Sequence, residues 1–299
     1  MGINRYKNNP ILVKEDVPFK VNSIFNPGAV KINNRYLLVC RVEMPSGRSS
    51  FVLASGNDGI SFKVEDKLCL SPGDHKEFFK YVEWGIEDPR VTKIENKYYL
   101  TFTGYSRYMP LVIIAETEDF RTYKMLCPIS EPSNKDCALF PEKINKYYWK
   151  IDRPSADARR DMWISRSPDL VHWGNYEILY EPLAGSWESD KIGISTPPFK
   201  TSEGWLVLYH GVRSFGIGTI YKLGVMLLDL EKPWLVKGKS NEPILAPELD
   251  YERIGDVGNV VFTNGWIIEN NEVKIYYSGA DSNICLATTT VDYLLSLCK

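Results

Sequence analysis

Glu87 and Asp88, within the stretch GIEDPRVTKIENKYYLTFTGY (Gly85 to Tyr105), put two carboxylates directly ahead of an apolar and aromatic run that reads as a buried strand. Burying a carboxylate without a partner costs several kcal/mol, so such a pair must either reach water or meet cations. Pro89 fixes the backbone that follows Asp88 and holds its carboxylate toward one spot. An Asp ahead of Pro is also a common turn cap, so recurrence of the pattern has to separate the two uses. If Asp88 faces a wet channel mouth, it is placed to give or take a proton. Strand alternation points Glu87 to the opposite face, which reads as structural.

A second set of reactive types stands where aromatic strands end: Arg41, Thr103, Asp152 with its neighbour Arg153, His210 and Ser278. Arg and His rarely end a packed strand without partners. Taken singly, each reads as a salt bridge between sheets or a hydrogen-bonded histidine. Drawn from equivalent positions around one axis, Arg41, Arg153 and His210 would hold an anion.

The elements that position these residues repeat. NPGAVKINNRYLLVCRVE (Asn26 to Glu43) and DPRVTKIENKYYLTFTGY (Asp88 to Tyr105) share a polar residue, Pro, a short strand, a Lys-Ile turn and an aromatic-rich strand. FPEKINKYYWKIDRP (Phe140 to Pro154) is a third copy, and weaker copies begin at Pro197 and Val260. Each copy is followed by a strand and a turn centred on Asp58, Asp119, Asp169, Asp229 or Asp292. Repetition every 50 to 70 residues or so, built from short strands and polar turns, predicts an all-β fold, a five-bladed β-propeller of about four strands per blade. The alternative is a β-sandwich with accidental similarity. NNPIL (Asn8 to Leu12) recurs as NEPIL (Asn241 to Leu245), so the N-terminal segment is expected to supply the outer strand of the last blade. A short helix is expected within 71–85 and a long functional loop over 181–195. No boundary divides the chain, giving a single domain over 1–299.

Composition sets limits on partners. The net charge of −2 offers no general attraction to nucleic acid or anionic lipid. The chain lacks a signal-peptide core and an apolar run of membrane-spanning length, so a cytoplasmic protein is expected. Six dispersed cysteines without a CxxC pair predict free thiols rather than a zinc site. Phe78, Phe79 and Trp84 are candidates for an apolar contact patch in a homo-oligomer.

The motifs FNPGAV, IEDPRVT, NKDCALFPEKI, WESDKIGISTPP, LYHGV and GDVGNVVF, spread over essentially the whole chain, resemble those of glycoside hydrolase family 130, five-bladed propellers acting on β-mannosides. The resemblance implies that Asp88 matches the family's catalytic acid. It implies that Asn26, Arg41 and Asp281 match residues holding the mannose whose bond is cleaved, with Arg48 reaching the same sugar site. It also implies that Lys135, Arg153, Lys191 and His210 match a phosphate-binding set, flanked by Asn134 and Asp136.

This chemistry is consistent with the residue types. An inverting glycosidase uses one carboxyl group to protonate the leaving oxygen and another to activate water. Phosphate already carries negative charge, so it needs cations to position it and no second base. The expected activity is an inverting β-mannoside phosphorylase: reversible phosphorolysis of β-1,2-mannobiose or short β-1,2-mannooligosaccharides to α-D-mannose 1-phosphate. β-1,4-mannooligosaccharides or β-1,4-mannosyl-glucose are alternative substrates. A furanosidase-like or β-mannoside hydrolase and a non-catalytic carbohydrate-binding propeller are the rival classes. The resemblance implies no metal or organic cofactor, with inorganic phosphate as co-substrate and a proton relay through the mannose 3-hydroxyl. Asp88 is expected to have a raised pKa when sugar desolvates it, countered by Arg90 and nearby cations.

Overall fold

A computed structural model describes residues 2–155, 160–216 and 218–299. Strand β1 (Asn4–Arg5) is followed by a first antiparallel meander of β2 (Ser23–Ile32), β3 (Arg35–Glu43), β4 (Ser49–Gly56) and β5 (Lys63–Leu70). A second comprises β6 (Gly85–Ile94), β7 (Lys97–Tyr105), β8 (Leu111–Thr117) and β9 (Lys124–Pro128). A third comprises β10 (Asn134–Leu139), β11 (Tyr148–Pro154), β12 (Met162–Ser167) and β13 (Gly174–Tyr180).

The fourth contains β14 (Lys191–Ile194), β15 (Phe199–Lys200), β16 (Trp205–Phe215), β17 (Gly218–Leu228) and β18 (Val236–Lys239). The last runs β19 (Val261–Glu269), β20 (Glu272–Gly279) and β21 (Asn283–Thr290), with β1 completing its outer edge. One parallel pairing, Ser49 with Gly85, joins the first two meanders into a single sheet, so the chain is all-β with four hydrogen-bonded sheets. The first strands lie side by side: β19 against β2, β2 against β6, β6 against β10, and β10 against β14.

The near-continuous apolar runs follow from burial on both faces of each meander. Leu100, Phe102, Ile113 and Ala115 pack on Val39, Phe51 and Leu53 of the first meander, while Val112 and Ile114 pack on Cys137 and Leu139 of the third. Each such side chain contributes about 1.5–3 kcal/mol relative to exposure. Between these layers, Thr101 donates its hydroxyl to the Cys137 carbonyl, 2.6 Å away.

The repeated aspartates act as turn clamps. Asp58, Asp119, Asp169 and Asp229 each accept two backbone N–H groups, two and three residues ahead. These bonds hold the four carboxylates below their usual pKa. Asp292 departs from the pattern: it lies in helix α3 (Val291–Ser296), whose N-cap Thr290 accepts from the Tyr293 N–H. The last meander takes its outer strand from β1 instead. The short helix expected within 71–85 is α1 (Phe79–Val82) in chain order, and α2 (Asp250–Arg253) precedes the last meander.

Phe78 turns partly into the second core, which leaves Phe79 and Trp84 as the exposed pair of the expected patch. All six cysteines are free; Cys40, Cys137, Cys285 and Cys298 are buried. No helix among the described residues is long and apolar enough to cross a membrane.

The N-terminal segment fastens to the last meander as the repeated NxPIL motif predicts. Leu12 bridges Ile284 on β21, as Leu245 bridges Leu223 on β17. Arg5 donates from Nε to Glu252 Oε1 at 2.7 Å and from Nη2 to Oε2 at 3.1 Å, and Glu252 is fully buried. Tyr277 and the Glu248 and Leu249 N–H groups donate to the same carboxylate. Removing one partner of a buried ion pair costs about 3–5 kcal/mol. Arg5→Ala should therefore lower the urea midpoint by an equivalent amount with unchanged slope, and an unchanged midpoint would show that this clasp does not hold β1.

Candidate active site

Three of the first strands carry the same defect. Phe25 pairs with Arg41 and Gly28 with Val39; Glu87 with Thr103 and Arg90 with Thr101; Lys135 with Arg153 and Ala138 with Ile151. Each leaves two residues opposite one, a β-bulge that re-aims side chains. The first bulged residue is Asn26, Asp88 or Asp136, in left-handed conformation with φ of 45°, 56° and 54°. Asn and Asp tolerate this region better than other residues with a side chain. The bulge turns all three side chains into one central cavity of about 400 Å³.

Asp88, Lys135, Arg153, Lys191, His210, Asn26, Arg41 and Asp281 all line that cavity. Arg48 is not among its lining residues; it is exposed on the turn between β3 and β4, where its carbonyl accepts from the Met44 N–H. Asp152 likewise faces away, paired with the buried Lys150 and accepting from Asn134. The ring position belongs to Arg153, directly across the ladder from Lys135.

Glu87 is a second correction. The bulge breaks the alternation that would have turned it outward, and it lines the cavity instead. Its Oε1 accepts from Arg41 Nη2 at 3.0 Å and its Oε2 from Lys135 Nζ at 2.9 Å. Tyr221, Arg160, Ser155, Pro110, Val260 and Phe262 complete the lining and were not singled out from sequence. Tyr221 stands opposite Val212 on an uninterrupted hairpin, and nothing in its local pattern marks it.

The cavity has two electrically distinct ends. At one, Asp88 Oδ1 accepts from Asn26 Nδ2 at 2.7 Å and from Arg41 Nη1 at 3.0 Å. Burial alone would raise this carboxyl, but Arg41, Lys135, the Asn26 bond and Arg90 outweigh it and hold its pKa below the ordinary value. The expected upward shift of Asp88 is therefore absent from the free site. The raised group is Asp281: burial, reinforced by the charge of Asp88, lifts it to about 7 against the pull of Arg41. The two shifts run in opposite directions, so Asp281 is the carboxyl that holds a proton up to near neutrality. Asn26 Oδ1 is buried without a hydrogen-bond partner among the described residues.

At the other end Arg153 donates from Nε to Asp136 Oδ2 at 2.8 Å, and His210 Nε2 lies 3.4 Å from the same oxygen. Burial lowers His210 and keeps it neutral despite Asp136, while its Nδ1 meets Ser195 Oγ at 3.2 Å. Gly193, facing His210 across the ladder, leaves the imidazole its space; a Cβ there would stand 2.6 Å from both Asp136 Oδ2 and His210 Cε1. Lys191 donates to the Tyr221 hydroxyl. Burial and the positive charge of Arg153, Arg160 and Lys135 push its pKa down to about 8. Burial is the larger cause; the repulsion from Arg153, Arg160 and Lys135 is the part that an anion would relieve.

A model of the glycoside hydrolase 130 family, described as beta-1,4-mannooligosaccharide phosphorylase, matches residues 3–299. A beta-1,2-mannobiose phosphorylase of Thermoanaerobacter sp. strain X514 is 38% identical over 303 residues, covering 95% of this chain and 96% of that protein. A beta-1,4-mannooligosaccharide phosphorylase of Ruminococcus albus is 34% identical, covering 99% and 90%. The solved structure of a Listeria innocua β-1,2-mannobiose phosphorylase with β-1,2-mannobiose superposes with a TM-score of 0.92 at 30% identity, over 100% of this chain and 99% of that one.

Asp281 gives a prediction with a definite sign. Its folded-state pKa of about 7 lies above the ordinary 3.8, so the folded chain keeps a proton that the unfolded chain releases. Stability from this residue is fully present below about pH 4 and is lost as pH rises toward 7. Asp281→Asn removes that loss. Its melting temperature relative to the unsubstituted protein should be higher at pH 8 than at pH 5, and an equal difference at both values would place the proton elsewhere.

Proposed function

The chain belongs to glycoside hydrolase family 130, and on that premise we propose that the cavity brings a β-mannoside and inorganic phosphate together so that phosphate displaces the aglycone from the anomeric carbon. The activity is that of a family 130 phosphorylase, a glycosyl transfer to phosphate. The observation that carries the phosphate half is the convergence of Lys135, Arg153, Arg160, Lys191 and His210 on one cavity. A hydrolase needs a base for water, whereas this end of the cavity offers cations.

Asn26, Arg41 and Asp281 hold the mannose unit at the acid end, and Lys135, Arg153, Lys191 and His210 hold phosphate at the other. A phosphate oxygen attacks C1 as the C1–O bond to the aglycone breaks, and the configuration inverts to α-mannose 1-phosphate. Asp88 supplies the proton to the leaving oxygen, directly or through the mannose 3-hydroxyl. Phosphate binding itself helps: a dianion beside Lys135 offsets part of the field that keeps Asp88 low, and bound sugar adds desolvation. The reaction needs no metal or organic cofactor.

The five meanders read as the blades of a five-bladed propeller, with β1 closing the last blade. Site residues from all of them make 1–299 one catalytic unit. β-1,2-Mannobiose or short β-1,2-mannooligosaccharides are the preferred substrates, on the strength of the Thermoanaerobacter and Listeria relatives. The Ruminococcus relative supports β-1,4-mannooligosaccharides as the second reading. The enzyme works in the cytoplasm, where phosphate is abundant.

Sugar release from β-1,2-mannobiose should depend on phosphate and yield α-mannose 1-phosphate; release at the same rate in phosphate-free buffer would overturn the phosphorylase reading. Asp88→Asn should cut turnover by about 10²–10⁴-fold, the range for a general acid, with substrate binding retained. Incubating α-mannose 1-phosphate with a panel of acceptors and reading the product linkage by NMR decides between the β-1,2 and β-1,4 readings.

A further inference from the structure

The bulge of β10 is braced differently from its counterparts in β2 and β6. In those two strands the left-handed Asn26 and Asp88 are each followed by a proline, Pro27 and Pro89. Proline fixes its own φ and restricts the residue before it, so these bulges are held from within the chain. The single residue facing each of them is buried and apolar, Cys40 in β3 and Phe102 in β7. Two positions earlier stand the buried Leu38 and Leu100. In β10 the left-handed Asp136 is followed by Cys137 instead, and the residue facing the bulge is Asp152. Lys150 takes the place of the leucines, and it and Asp152 are both buried.

The charged residues form a connected network. Lys150 Nζ donates to Asp152 Oδ2, and Asn134 Nδ2 donates to the same oxygen at 3.2 Å. Trp173 and Tyr176 lie beside the ammonium, with ring centroids 5.4 and 5.9 Å from Nζ. The Asn134 N–H donates to the Pro110 carbonyl at 2.9 Å, and Thr101 holds the Cys137 carbonyl from the second meander. Asn134 precedes Lys135 and Asp152 precedes Arg153, two cations paired directly across the ladder. The bond from Asn134 to Asp152 therefore ties β10 to β11 beside the rung that carries both cations, and neither residue lines the cavity.

We propose that Lys150, Asp152 and Asn134 are positioning residues for phosphate: the buried pair does for the third bulge what proline does for the other two, and so aims Lys135 and Arg153 at the anion. This rests on the phosphorylase reading. A left-handed Asp costs free energy and persists only where its surroundings over-determine it. A buried ion pair contributes little net stability over apolar residues of similar volume, so energy alone does not account for one here. What the pair adds is direction. Lys150 fixes Asp152, Asp152 fixes Asn134, and a slip of β10 against β11 at the bulge would break both bonds. Arg153, whose Nε and Nη2 reach Asp136 Oδ2 at 2.8 and 2.7 Å, is thereby held at the phosphate end. The three residues meet no reacting atom and act only through the rung beside them.

The test replaces the pair with the residues of the first meander, Lys150→Leu with Asp152→Cys, so that neither charge is left buried alone. Phosphorolysis kinetics and calorimetric titration with inorganic phosphate are then compared with those of the unsubstituted enzyme. The double variant should keep a cooperative melt while its phosphate KM and Kd rise about tenfold or more, the effect of misplacing one charge-assisted hydrogen bond. The KM for the β-mannoside should stay within about twofold, a split that general loosening of the fold would not give. Adding Cys137→Pro, the residue type of the other two bulges, should recover most of the phosphate affinity. Asn134→Ala keeps the ion pair but cuts its tie to β10, and should raise the phosphate KM about threefold, the loss of a single hydrogen bond. Unchanged phosphate KM in both variants, or phosphate and mannoside KM values raised in parallel, overturns the positioning role and leaves the phosphorylase reading intact. An unsubstituted enzyme that binds no inorganic phosphate overturns the phosphorylase reading, and the positioning role falls with it.

Discussion

The guanidinium of Arg90 holds the centre of the molecule together. It is almost wholly buried, a placement that is costly without full hydrogen bonding. Its Nη2 donates to the Ile194 carbonyl at 2.8 Å and Nε to the Ser195 carbonyl at 2.9 Å, joining the second meander to the fourth. Nη1 reaches the Asp88 carbonyl at 3.2 Å, Nη2 also reaches Asp136 at 3.4 Å, and the ring of Phe262 lies beneath. One side chain from the bulge of β6 therefore touches four meanders. Because it engages the backbone next to Asp88 and the side chain of Asp136, it fixes the floor on which both ends of the site stand.

Around that floor the bulges act as aiming devices. A regular strand would send alternate residues to the two faces of its sheet, into the packed layers between meanders. The left-handed residue at each bulge breaks this rule and frees Asn26, Asp88 and Asp136 to face the axis. The strain is accepted where a side chain must leave the sheet. The result is a cavity with an acid end and an anion end, separated by Glu87 and Lys135, whose ion pair links the two.

The balance of charge governs how such a site works. Carboxylates and cations alternate around the ring: Asp88 and Glu87 with Arg41, Glu87 with Lys135, Asp136 with Arg153. This pairing offsets the cost of placing charged groups at the centre of the molecule. Two groups fall outside this matching, Asp281, raised to about 7, and Lys191, lowered to about 8. Both line the same cavity, and perturbed groups gathered in one cleft are a mark of a functional site.

The amino-acid order determined the repeating strands, the aspartate turn clamps, the return of the N-terminal segment to the last meander, and five of the residues that gather at the axis, Asn26, Arg41, Asp88, Arg153 and His210. These are local or periodic properties, set by alternation, turn chemistry and equivalence between copies. Family motifs carried Lys135, Lys191 and Asp281, which no spacing rule singled out. Only the folded chain decided that Glu87 faces the cavity, that Arg153 rather than Asp152 takes the ring position, that Arg48 stays outside, and that Asp281 rather than Asp88 is the carboxyl with the raised pKa. For Glu87 the reason is the adjoining bulge of β6, which breaks the alternation that would have turned it outward. The field at a carboxyl is likewise a sum over charges from all the meanders, which no single stretch of sequence contains.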